Sequence, residues 1–123
     1  MTGAARAGVE VGTVFAALSD PHRRRLLAAL AEQPAGASAT ALAKPLPVSR
    51  QAVDRHLRVL ERAGLVDASR HGREVRFIVR RAALDQSATW LSELGNRWEQ
   101  RLLRLKAAAE TSPGQAGSPA QTA

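Results

Sequence analysis

Apolar residues recur along the chain with a helical period in five places and with a two-residue period in one. From about Glu10 to Leu18 the set is Val11, Val14, Phe15 and Leu18, which predicts a first helix. Asp20-Pro21 supplies an N-cap followed by proline at the first helical position, and so starts a second helix. Its apolar set is Leu26, Leu27 and Leu30, and Pro34-Ala35-Gly36 ends it. Thr40 is placed to cap a short third helix reaching Lys44, which must stop before Pro45. Pro45 and Pro47 bracket a stiff turn. Ser49 then caps a fourth helix with Val53, Leu57 and Leu60 at i, i+4 and i+7, and Gly64 fits a left-handed C-cap with Leu65 folding back on the last turn.

Val66 to Ser69 and Glu74 to Val79 alternate as two strands joined at His71-Gly72-Arg73, with Val75, Phe77 and Val79 sharing one face. One long helix follows from about Ala82 to Glu110. Its seam of Leu84, Ala88, Leu91, Gly95, Trp98, Leu102 and Leu105 advances by alternating steps of 4 and 3 residues. The order predicts a mainly α fold with a small β-hairpin wing: a winged helix-turn-helix of five helices. One domain is expected over residues 10–110. Residues 1–9 and 111–123 are rich in small and polar residues without periodicity, and are expected to be disordered tails.

Charge turns this fold into a partner. The chain carries a formal net charge of +7, and ten Lys/Arg against four Asp/Glu fall between residues 39 and 81. Double-stranded DNA is the expected partner, because a helix can enter the major groove while a β-ribbon flanks it on the phosphates. With its apolar stripe inward, the fourth helix turns Ser49, Arg50, Gln51, Asp54, Arg55 and Arg58 outward. Arg50, Gln51 and Arg55 are the expected base readers: glutamine pairs bidentately with adenine and arginine with guanine, each contributing about 1–3 kcal/mol of discrimination. Ser49 and Arg58 are expected on phosphate, Arg70 and Arg73 of the hairpin on phosphate or in a narrow minor groove, Arg76 with them on the wing, and His56 on backbone or phosphate rather than as a metal ligand. A merely solvated basic face is the competing reading, and the flanking proline turn and basic hairpin weigh against it. Asp54 is left with three roles: orienting Arg50 or Arg58, accepting from cytosine, or weakening off-target binding. The Arg23–Arg25 run opposes its helix dipole and calls for an anion, either DNA phosphate or an acid such as Asp20 or Glu61.

Neither terminal helix belongs to the reading unit, yet both are amphipathic. Leu84, Leu91, Gly95, Trp98, Leu102 and Leu105, set beside Val11, Val14, Phe15 and Leu18, predict a homodimer interface between helices 1 and 5. Packing on the protomer's own core is the alternative. Two-fold symmetry would set two recognition helices one DNA turn, or a multiple, apart and so imply a palindromic operator. Trp90, Leu94, Arg97 and Arg101 lie on another face, either packed or lining a small pocket for an anionic or aromatic effector.

Composition mainly excludes. Hydrophobic residues make up 45% and aromatics 3%, so the core must be aliphatic. The absence of cysteine removes disulfides, thiolate metal sites and cysteine catalysis together. No run approaches the roughly 18–20 apolar residues of a spanning helix, and the N-terminus lacks an apolar signal segment. A cytoplasmic protein without a membrane partner is therefore expected, nucleoid-associated when bound to DNA. No glycine-rich phosphate loop, metal cluster or nucleophile–base pair is visible, so neither catalysis nor a cofactor is expected.

Four pieces in order, LSDPHRRRLLAAL, LPVSRQAVDRHLRVLERAGLV, SRHGREVRFIV and the long last helix, resemble the ArsR/SmtB family of bacterial winged-helix repressors over roughly residues 10–108. The resemblance implies a homodimeric repressor whose first and last helices form the interface and whose effector releases DNA. Metal-sensing members carry Cys-x-Cys before the turn, or His/Asp/Glu ligands on the last helix. Here the first region reads TALAKPL, and the last helix offers Asp85, Glu93 and Glu99 without histidine, while His22, His56 and His71 stand in or near the DNA-binding half. Zinc prefers His nitrogen or Cys sulfur. The chain thus resembles members lacking the metal motif, whose last helix carries the tryptophan and leucine pattern seen from Trp90 to Leu105. The expected function is a sequence-specific, metal-independent repressor. The alternatives are a non-specific architectural DNA-binding protein and a repressor sensing a small organic effector.

Overall fold

The structure, a computed structural model, describes residues 10–111. Its elements are α1 (Val11–Ala17), α2 (Pro21–Ala31), β1 (Ala37–Ser38), α3 (Ala39–Ala43), α4 (Arg50–Arg62), β2 (Val66–His71), β3 (Glu74–Val79) and α5 (Arg81–Thr111). The five helices and the hairpin therefore stand where the periodicity places them. The expected tails at 1–9 and 112–123 lie outside the described residues, and Thr111, assigned to a tail, is the last residue of α5.

Local chemistry fixes the helix ends. The Asp20 carboxylate accepts from the amides of His22 (2.7 Å) and Arg23 (3.3 Å), opening α2 with Pro21 in its first turn. The Ser49 hydroxyl accepts from the Ala52 amide at 3.1 Å to open α4, and such a cap stabilises a helix by about 1 kcal/mol. At the other end of α4, Gly64 sits at φ +82° while the Gly64 and Leu65 amides donate back to Glu61 and Leu60. That is a Schellman ending, and it turns the chain straight into β2.

Two local expectations are corrected. Ser38, not Thr40, caps α3, its hydroxyl accepting from the Ala41 amide at 3.1 Å, and Thr40 falls inside the helix. The sheet also has three strands rather than two, in the order β1-β3-β2, with Ala37 opposite Phe77 and Ser38 opposite Arg76. A two-residue strand has no alternation to read, and its partner is set by the fold rather than by its own pattern.

The core follows the stripes. Leu30, Val53, Leu57, Leu60, Leu65, Val66 and Phe77 are all buried, and Val75, Val79 and Leu84 pack on them from the edge. The chain divides after Ser87 into two units. Within the first, Val14 is fully buried in the protomer's own core. Its assignment to a dimer interface is therefore withdrawn, because a side chain with no exposed surface has none to offer a partner. Leu18 and Leu84 are partly buried against the same core, whereas Phe15 keeps 37% of its surface exposed. In the second unit every residue from 88 to 111 is exposed, including Leu91, Gly95, Trp98, Leu102 and Leu105.

Candidate nucleic-acid interface

The turn from α3 to α4 and the β2–β3 hairpin flank a cleft of about 600 Å3. Beside Arg58, Asp54 and Glu74 on its walls, three elements each bring a further cation: Lys44 closing α3, Arg50 opening α4, and Arg73 at the hairpin tip. Among the described residues none of these three has an ion pair or a side-chain hydrogen bond. The tip is the two-residue turn Gly72-Arg73, made possible by Gly72 at φ +67°, a conformation costly for other residues.

Each predicted site residue has a definite place. Arg50, Gln51 and Arg55 are exposed on α4, and Arg70 and Arg73 are exposed on the hairpin. Arg50 and Arg73 line the same cleft. Arg55 and His56 instead line a neighbouring recess of about 490 Å3 with Arg23 and Arg62. There the His56 ring stacks on His22, with centroids 5.8 Å apart. Ser49 combines its cap with an exposed position beside Arg50. Lys44 was not among the expected site residues. Its signal was available, since it is the last residue before Pro45 and so stands at the edge of the turn.

Two arginines assigned to phosphate are otherwise engaged. Arg58 lies between Glu61 (3.0 Å) and Asp54 (3.8 Å), with its guanidinium 5.1 Å from the centre of the Phe77 ring. Of the three roles left open for Asp54, the geometry realises the orienting of Arg58. Arg58 is therefore held by two carboxylates of its own helix and ties α4 to the middle strand through the cation–π contact alone. Arg76 pairs with Glu74 at 2.7 Å. By strand alternation it also occupies the face opposite Val75 and Phe77, whereas Arg70, opposite Val75 in register, shares theirs. At Arg58 and Arg76 a carboxylate therefore competes with phosphate, as it does not at Lys44, Arg50 and Arg73.

The arginine run on α2 resolves similarly. Arg23 donates to the Ala17 carbonyl at 2.6 Å and pairs with Asp20 at 3.6 Å, and Arg24 donates to the Leu18 carbonyl at 2.7 Å. The anion is thus partly the carbonyl end of α1. Desolvation works against the Asp20 carboxylate, but the His22 and Arg23 amides and the charges of Arg23 and His56 overcome it and hold its pKa below the ordinary value. Among the described residues no three His, Cys, Asp or Glu gather closely enough to hold a metal ion, and no helix is long and apolar enough to cross a membrane.

Residues 18–67 match a family described as a helix-turn-helix domain. An ArsR-like transcriptional regulator from Rhodococcus sp. RHA1 is 39% identical, with a TM-score of 0.72 over 91% of this chain and 100% of its own. The chain belongs to the ArsR family. A curated relative, the transcriptional repressor SdpR of Bacillus subtilis (strain 168), is 28% identical over 94 residues, 75% of this chain and 100% of its own. A homodimeric winged helix-turn-helix domain from Mycobacterium bovis, at 22% identity and a TM-score of 0.57 over 69% of this chain and 78% of its own, shares the fold. This ArsR-family protein is accordingly a winged helix-turn-helix transcriptional regulator.

Proposed function

We propose that the protein is a homodimeric repressor that reads a palindromic operator in duplex DNA without a metal. The observation that carries the reading is the cleft between α4 and the hairpin, where Lys44, Arg50 and Arg73 converge without partners among the described residues. Arg50, Gln51 and Arg55 read base edges. Ser49, Lys44, Arg70 and Arg73 hold phosphates, and His56 meets backbone or phosphate from the neighbouring recess. The exposed seam of Leu91, Gly95, Trp98, Leu102 and Leu105, with Phe15 on α1, supports a two-fold pairing. A repressor among its curated relatives supports the sign of regulation, and the absence of Cys and of histidine on α5 supports metal independence. The site of action is the cytoplasm.

Selection of bound sequences from a random duplex pool, with added zinc and with chelator, tests the reading. An inverted-repeat motif recovered equally under both conditions is expected. Recovery of unselected sequence would instead establish architectural binding, and a motif that appears or vanishes with zinc would overturn metal independence.

A further inference from the structure

The three consecutive arginines of α2 do not share one task. Arg23 and Arg24 are engaged at the end of α1. Arg25 has no ion pair or side-chain hydrogen bond among the described residues, and it lines a separate recess. That recess opens on the face of β3 carrying Glu74 and Arg76, away from Phe77. Its volume is about 570 Å3, within the span of roughly 300–1,000 Å3 typical of small-molecule sites. Leu26 and Leu42 are buried at its base and Leu46 is half-buried beside them. Arg25, Arg76 and Glu74 are the charged residues lining it, and together they leave a net charge of +1.

We propose that this recess binds a small organic monocarboxylate, its apolar body on Leu26, Leu42 and Leu46 and its carboxylate on Arg25. Arg76 is already balanced by Glu74 at 2.7 Å, so one negative charge completes the site. A neutral ligand would leave Arg25 uncompensated, and an inorganic anion would leave the apolar base uncovered. The walls come from α2, α3 and β3. A bound ligand thus bears on the spacing between the α3–α4 pair and the hairpin, and its occupancy is coupled to DNA binding. That coupling rests on the reading given under Proposed function; the binding itself does not.

The test titrates the full chain with 2-naphthoate, with neutral 2-naphthamide and with acetate, following backbone amide shifts. Saturable shifts at Gly36, Ala37 and Ala41 are expected for 2-naphthoate. Binding about tenfold or more weaker is expected for both other compounds and for Arg25→Gln, the loss of one charge-assisted contact. Equal binding by the amide or by Arg25→Gln, shifts confined to residues 88–111, or no saturation would overturn the site. Saturating 2-naphthoate should also change Kd for the selected duplex by about fivefold or more, and an unchanged Kd overturns the coupling. A chain that binds 2-naphthoate but no duplex keeps the site and fails the DNA-binding reading instead.

Discussion

Helices α4 and α5 carry similar apolar stripes, and they meet opposite fates. On α4, Val53, Leu57 and Leu60 are at most 1% exposed. On the outer part of α5, Leu91, Trp98 and Leu105 keep between 51% and 60% of their surface in solvent. Periodicity reports only that a face seeks apolar company; the supplier differs. For α4 the supplier is the same chain, through α2, α3, β2 and the Schellman turn. For α5 the proposed supplier is a second copy. The same contrast runs through the arginines, some neutralised within the protomer and others left for a polyanion.

Substitutions at matched positions should separate the two helices. Leu57→Ala should lower protomer stability by about 2–5 kcal/mol, the usual cost of a buried leucine cavity, read from urea denaturation. Trp98→Asp should leave a folded protomer with normal helical content and weaken dimerisation by about 2 kcal/mol or more, as removal of a central aromatic anchor does. Sedimentation showing an intact dimer would detach α5 from the interface.

The arginine contrast breaks in smaller steps. Arg50→Ala should cost about 1–3 kcal/mol at the operator and relax base preference at one position per half-site, visible in a repeated selection. Arg73→Ala should weaken all duplexes alike and reduce the salt slope by about one per protomer. Arg58→Met keeps the length of the side chain but removes the guanidinium that pairs with Glu61 and faces Phe77. It should therefore leave the salt slope unchanged while lowering the melting temperature, and an altered slope would return Arg58 to the phosphates. The smallest effect belongs to Asp20. Its folded pKa lies below the ordinary 3.8, so its stabilising contribution is complete above that value and is lost as pH falls through the lower folded one. Asp20→Asn, which keeps a capping oxygen but removes the charge, should flatten acid unfolding in that window and lower stability near neutral pH toward that of the protonated wild type.

Most of the fold was legible because its signals are local. The Ser49 and Asp20 caps, the Gly64 exit and the Val53/Leu57/Leu60 stripe each depend on neighbours within a few residues. What stayed hidden depends on distant partners. Strand β1 exists because Phe77 and Arg76 lie beside it. Arg58 looks like any outward arginine until Phe77 arrives from 19 positions later in the chain. Val14 and Phe15 are adjacent and both apolar, and only the packed core decides that the first turns in while the second stays exposed. The site was half legible for the same reason: residue type identifies a cation, but its neighbours decide whether that cation is free.

The hairpin tip bears on how such a protein can change over generations. A side chain added at Gly72 would meet nothing within 4 Å, and only the backbone angle constrains that position. The wing can therefore be lengthened or shortened without disturbing the core, each added cross-strand pair extending it by about 3.4 Å. It works as an adjustable ruler: descendants of one scaffold can reach different phosphates along the duplex while keeping the same reading helix.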